Sequence, residues 1–378
     1  ISGEWGSDGE GIKVLRTTNF TNKGVINFKN VISRDISSKI IEQKRLLKGD
    51  IIIEKSGGSP TQPVGRVVYF DEDGDYVCNN FTSILRPKSE KVFPKYLHHM
   101  LFANHKFGST KMFQNKTTGI INLQLTRYLE KLTIPLPNLE IQKKIAQNLD
   151  DAADLCNKTE ELIKKYDELA ESLFSELMSL PIGNKVPLSS IAKINPKKSE
   201  INKISKDTTI TFLPMASVSE RGDIDKTLEK KISEVWSGFT YFSEGDVLFA
   251  KITPCMENGK GGIVRGLKNN IGFGSTEFHV LRPIKNKSNC EWLYYLLNSK
   301  KFRKIAESNM RGSAGQKRVT TDFFDRFTVI VPKIELQDEF AKKITLIEKQ
   351  KELAKQELKE SDDLFNCLLQ KAFKGELV

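Results

Sequence analysis

The sequence predicts an α+β protein of two similar domains separated by two long antiparallel helices that form a coiled coil, with pseudo-twofold symmetry. Three observations predict it. The chain repeats itself at a nearly constant offset, each repeat has a β-rich pattern with short helices, and two stretches of about forty residues contain neither Gly nor Pro.

The repeat is read by subtraction. Lys48-Gly49-Asp50-Ile51-Ile52-Ile53-Glu54-Lys55 aligns with Glu244-Gly245-Asp246-Val247-Leu248-Phe249-Ala250-Lys251 at an offset of 196. Leu85-Arg86-Pro87 falls on Leu281-Arg282-Pro283, Tyr96-Leu97 on Trp292-Leu293 and Gly119 on Gly315, all at the same offset. Pro137-Asn138-Leu139-Glu140-Ile141-Gln142 matches Pro332-Lys333-Ile334-Glu335-Leu336-Gln337 at 195. This period is far longer than a solenoid repeat, so each unit is a domain followed by a helix. Residues 1–138 and 183–333 are the expected domains, and 139–182 and 334–378 the helical segments. Most of Val186–Ser199 would map onto positions before residue 1, and the sequence does not start with Met. A native N-terminal segment is therefore expected to be missing.

Within each domain, Asp50–Ile53 and Asp246–Ala250 read as buried strands introduced by a Gly-Asp turn. Val64–Phe70, Asp75–Leu85 and Phe278–Leu281 read as further strands. Pro94–Asn104 and Glu291–Asn298 have helical apolar spacing.

The long helices are predicted over Glu140–Ser179, bracketed by Pro137 and Pro181, and over Glu335–Lys374, with Gly375 as C-cap. Forty helical residues span about 60 Å. The first stripe runs Ile145, Leu149, Ala152, Cys156, then Leu162, Tyr166, Leu169, Leu173 and Leu180. The second runs Ile344, Ile347, Ala354, Leu358, Phe365 and Leu368, with Lys351 and Ser361 interrupting it. Spacings of three and four form a coiled-coil seam that cannot be left in water. The simplest partner for each helix is the other. The alternative is that each folds back onto its own domain, which the length disfavours.

The net charge is +11 with a pI near 9.2. Residues 140–179 carry a net −5 and residues 333–374 a net 0, so the remainder carries +16. Basic domains on neutral or acidic helices point to a phosphate-bearing partner. Five scattered cysteines without a CxxC pair, and four histidines without metal-binding spacing, argue against a disulfide framework or a zinc site. They fit a reducing cytoplasm. No apolar run approaches a membrane span, and no signal peptide is visible at the start.

Motifs that carry chemistry are missing. There is no G-x-x-x-x-G-K-[ST] phosphate loop, no Asn-Pro-Pro-aromatic sequence and no Pro-Asp dipeptide. Glu229-Lys230-Lys231 alone does not make a nuclease. No catalytic or metal-binding residue is assigned.

Loops rich in hydrogen-bonding side chains are instead candidates to read base edges. In the first domain they supply Lys55, Ser56 and Ser59, and Lys111, Gln114, Asn115, Lys116, Thr117, Thr118 and Asn122. In the second they supply Lys251, Thr253, Asn258 and Lys260, and Arg311, Ser313, Gln316, Lys317 and Arg318. Corresponding loops differ while the framework repeats, which suits one fold reading two sequences.

Three elements together carry a family resemblance: the duplicated Gly-Asp strand, the Gly119 and Gly315 loops, and Ile134-Pro135-Leu136-Pro137-Asn138-Leu139-Glu140-Ile141-Gln142-Lys143-Lys144-Ile145 entering a long helix. The chain resembles the specificity subunit of a Type I restriction–modification enzyme over nearly its whole length. Its Pro-Leu-Pro-x-x-Glu-x-Gln signature is intact in the first half, and the second half has Val331-Pro332-Lys333-Ile334-Glu335-Leu336-Gln337 in its place. The resemblance implies two target-recognition domains, each reading half of a bipartite, asymmetric site in double-stranded DNA. It implies helices that set the gap between half-sites and dock two methyltransferase subunits, which recruit restriction subunits. It also implies that the chain is non-catalytic and binds no cofactor. S-adenosylmethionine, ATP and Mg would belong to the partner subunits of a Type I deoxyribonuclease and adenine-DNA methyltransferase.

Overall fold

The computed structural model describes residues 11–59, 61–88, 90–117, 120–180, 183–313 and 315–377. The chain divides into two compact units, Ile1–Glu161 with Lys355–Val378, and Leu162–Ala354. Both divisions fall inside the long helices, so each unit is one domain plus a segment of each helix rather than a domain alone.

The Gly-Asp strands lie at the centre of their sheets. Ile51–Glu54 pairs antiparallel with Val67–Tyr69 on one side and Thr82–Leu85 on the other. Val247–Ala250 pairs the same way with Gly261–Ile263 and Phe278–Pro283, and Ala192–Ile194 extends that sheet. Consecutive apolar residues are needed because both faces are covered. Ile51 and Ile53 enter one core cluster and Ile52 another; Val247 and Phe249 are separated from Leu248 and Ala250 in the same way.

A second sheet accompanies each first one. Ile12–Leu15 lies between antiparallel Ile32–Arg34 and parallel Tyr76–Cys78. Thr209–Leu213 lies between antiparallel Glu229–Lys231 and parallel Ile271–Gly274, with Thr240–Ser243 beyond. The repeat in sequence is thus a repeat in topology.

Two expected strands differ. Asp75–Leu85 is broken into Tyr76–Cys78 and Thr82–Leu85, because Asn79 turns the chain by accepting hydrogen bonds from the Phe81 and Thr82 amides. Val64–Phe70 contracts to Val67–Tyr69.

A pair of ions explains why two motifs repeat together. Asp50 is buried, receives the Leu47 amide at 2.8 Å, and is gripped by both arms of Arg86 at 2.7 Å. Asp246 receives the Ser243 amide at 2.8 Å and is gripped by Arg282 at 2.6 and 2.8 Å. Gly49 and Gly245 turn the chain at positive φ, +91° and +82°. The Gly-Asp turn and the Leu-Arg-Pro strand are two halves of one bidentate contact.

The long helices span Leu139–Ser179 and Ile334–Lys374, each 41 residues. Gly375, at φ +76°, ends the second. In the first unit Ile145, Ala146 and Leu149 share a core with Leu369 and Ala372, and with the domain residues Tyr96, Met100 and Tyr128. In the second, Ala170, Phe174 and Leu177 share a core with Phe340, Ile344 and Ile347, and with Trp292 and Leu293. Phe174 meets Phe340, while Asp167 meets Lys351, so the helices run antiparallel. Each helix segment therefore packs on the other helix and on its own domain at once.

The first seam needs correction. Leu162 and Leu169 are 39% and 47% exposed, and Leu180 is exposed beyond the helix. The buried row is Leu149, Ala152, Cys156, Thr159, Ile163, then Ala170, Phe174 and Leu177, with half-buried Tyr166 and Leu173 between them. The seam keeps a 3.5-residue period through a threonine and an alanine; the leucines lie one position off it. On the second helix Ile344 and Ile347 are buried, and Leu358 and Phe365 half-buried. Lys351 and Ser361 do not interrupt that seam but lie buried within it. Burial pulls the Lys351 ammonium down, but Asp167 at 2.7 Å, with Glu348 and Asp223 nearby, more than offsets this and holds its pKa above the usual lysine value.

Candidate nucleic-acid interface

The candidate loops grow from one backbone scaffold that both units share. In the first, the Lys55 amide donates to the Phe81 carbonyl (2.8 Å) and the Lys55 carbonyl receives the Leu123 amide (2.8 Å). In the second, the Lys251 amide donates to Glu277 (2.9 Å) and its carbonyl receives Val319 (2.9 Å). All three positions correspond at an offset of 196. The segment after the Gly-Asp strand and the later loop are thereby brought together in each unit.

In the first unit they form a small sheet, Ser56–Gly58 beside Ile120–Leu123 beside Gln114–Thr117. It gathers Ser56, Gln114, Asn115 and Asn122. The Ser56 hydroxyl bonds the Asn122 side chain, and the Gln124 amide bonds Asn115. Ser59 receives the Gln62 amide at 3.1 Å and closes a turn. Lys55 is half-buried and Lys111 exposed on a short 3-10 turn. Lys116 and Thr117 are described as backbone of the strand, and Thr118 and Gly119 lie outside the described residues. Gln114 differs from the expectation of a free reading group: its amide donates to the Val64 carbonyl at 3.0 Å, which turns it into the domain.

The second unit builds the same place without a regular sheet. Ile252 and Arg311 each bridge to Arg318, and the Thr253 amide donates to Lys317. Lys251, Thr253, Arg311, Lys317 and Arg318 are thus adjacent. Several side chains here are already engaged. Thr253 donates to Glu257 at 2.7 Å. Arg318 holds Glu277 with two bonds of 2.9 Å, and this contact keeps the Glu277 carboxyl below its usual range. Asn258 and exposed Lys317, Gln316 and Ser313 remain on the surface, and the Lys260 ammonium reaches the Met215 carbonyl at 3.4 Å. Burial lowers the Lys251 pKa, opposed by Glu277 and reinforced by Arg318. Arg311 lies 3.5 Å from Asp322.

Position 81/277 is a candidate that the sequence reading passed over. Phe81 is 44% exposed, and its ring lies beside Gly57; at the same backbone site the second unit has Glu277 tied to Arg318. Subtraction alone aligns the two residues, but only the strand pairing shows that they border the loops. Among the described residues there is no cluster of His, Cys, Asp and Glu suited to a metal, and no helix is long and apolar enough to cross a membrane.

Comparison with known proteins fits this duplicated geometry. The chain is 43% identical over 148 residues to the Type I restriction enzyme EcoEI specificity subunit of Escherichia coli, covering 39% of this chain and 24% of that protein. It is 40% identical over 205 residues to the EcoAI specificity subunit of Escherichia coli, covering 53% and 33%. The chain thus spans about a quarter to a third of the length of these relatives. The fold resembles the crystal structure of a Type I restriction-modification S subunit from M. genitalium, with a TM-score of 0.56, 16% identity and coverage of 96% of this chain and 89% of that one. The family model described as the Type I restriction modification DNA specificity domain matches twice, over residues 7–170 and 184–361, and the chain belongs to that family.

Proposed function

We propose that this chain is the sequence-specific DNA-binding specificity subunit of a Type I restriction–modification system. Each unit reads one half of a bipartite, asymmetric site in double-stranded DNA, and the two 41-residue helices set the gap between the halves. The observation that carries the reading is one backbone scaffold used twice with different side chains around it, Ser56, Phe81 and Asn122 in one unit and Ile252, Glu277 and Arg318 at the corresponding positions of the other. Shared strands hold the loops, and divergent side chains give each domain its own hydrogen-bonding pattern for base edges. The excess positive charge of the domains supplies the phosphate term.

The chain carries no chemistry of its own in this reading. It docks methyltransferase subunits, two in number, and through them restriction subunits. S-adenosylmethionine, ATP and Mg are bound by those partners. Replacing the first domain by a relative's, followed by mapping of methylated sites, tests the proposal. A change in one half-site alone is expected; a change in both, or in neither, would overturn it. Insertion of about one helical turn into both long helices should lengthen the gap, and an unchanged gap would remove the helices as its ruler.

A further inference from the structure

A buried glutamine stands at the start of each long helix. Gln142 and Gln337 are both 0% exposed. The Gln142 Oε1 accepts the Phe93 amide at 2.8 Å, and its Nε2 donates to the carbonyls of Lys91 (3.0 Å) and Pro137 (2.7 Å). The Gln337 Oε1 accepts the Asn289 amide at 3.2 Å, and its Nε2 donates to Lys287 (3.1 Å) and Pro332 (2.8 Å). Every partner corresponds, at an offset of 195 or 196. Phe93 and Asn289 are the N-caps of the domain helices Pro94–Lys106 and Cys290–Asn298. Each glutamine therefore ties three things: the first turns of a long helix, the proline segment leading into it, and the start of a helix in its own domain.

We infer that Gln142 and Gln337 are positioning residues that fix the angle at which each reading domain meets its long helix, and so restrict the spacer length the protein accepts. The inference rests on the two-half-site reading above. Both amide donors and one acceptor lone pair are used, so rotation of the helix against the domain leaves buried groups unpaired. Apolar packing resists such rotation less, because it is non-directional. The geometry makes the angle matter: a tilt of about 5° at one end of a ~60 Å helix moves the other end by about 5 Å, more than the ~3.4 Å between successive base pairs.

The test is selection from a random duplex library by the wild-type chain, with its partner subunits, and by Gln142→Met and Gln337→Met. Methionine keeps the length and apolar bulk but loses all three hydrogen bonds. The wild type should enrich one two-part site with one spacer length. Each variant should enrich the same bases in both halves, with neighbouring spacer lengths admitted and the preference for the original spacer reduced roughly tenfold, the scale of one or two unpaired buried groups. A purely structural role would lower stability and overall affinity but leave the spacer distribution unchanged, and that result overturns the inference. Gln142→Glu keeps the acceptor for Phe93 and serves if the methionine variants do not fold; failure of all three to fold would assign the amides to folding alone and equally overturn it. If the wild type itself enriches no two-part site, the failure lies with the proposed function instead.

Discussion

The two units solve the same joint with different chemistry. Where the domain helix packs on the long helix, the first unit places His98 and His99 and the second Tyr294 and Tyr295, residue for residue at the 196 offset. His99 donates to Asp150 at 2.8 Å, and Lys95 reaches the other oxygen of Asp150 at 3.0 Å. Burial raises the Asp150 pKa, but the bonds from His99 and Lys95 outweigh it and leave the carboxyl below its ordinary value. In the second unit Tyr295 packs edge-on against Phe340, 5.4 Å between centroids, and beside Phe174 at 6.1 Å. One joint is ionic and the other aromatic, although the glutamine beside each is the same. The two units keep the same glutamine contact and differ in the packing beside it.

The largest expected effect breaks the aromatic joint. Phe174→Ala should cost about 4 kcal/mol, with a loss unaffected by salt, measured by denaturant unfolding and by hydrogen exchange of the second unit. Asp150→Ala should cost about 2 kcal/mol, because it leaves buried His99 without its acceptor. That loss should shrink at high ionic strength, since Lys95 and Asp150 are each about a third exposed. Equal salt dependence for both variants would remove the distinction between the joints.

A pH experiment sharpens it. His98 donates to the Gly24 carbonyl at 3.0 Å, and burial holds its pKa at about 3, below an ordinary 6.5. The groups facing it are His99, Asp150 and Lys95. The unfolded chain takes up this proton near pH 6.5 and the folded chain only near 3, so the folded state loses stability progressively as pH falls through that window. Compared with His98→Gln, which keeps a donor for Gly24, the wild type should lose stability more steeply between pH 6.5 and 4. Parallel curves would rule out His98 as the cause. The smallest effect is expected on the long helix: Leu162→Lys and Leu169→Lys should stay within about 0.5 kcal/mol, whereas Ile163→Ala, one position along, should cost about 2 kcal/mol.

Much of this architecture was legible in residue order. The repeat, the Gly-Asp turns and the extents of both helices come from local signals: positive-φ glycines, the prolines before each helix, and the lack of Gly and Pro within. The candidate loops could be located but not interpreted, because a polar side chain in a loop reads the same whether it faces solvent or, like Gln114, bonds a carbonyl inside. Phe81 and Glu277 were passed over for a similar reason, since neither belongs to a motif.

The sequence by itself determined that there are two units of one fold, where each helix starts and stops, and that positive charge resides on the domains. Only the tertiary structure decided the phase of the helical seam, which of its polar residues are buried, and which loop groups are already paired. The physical reason is one of range. Backbone conformation is set by neighbours within a few residues, whereas a leucine at 162 and an isoleucine at 163 are distinguished only by the partner surface, which buries one and leaves the other in water.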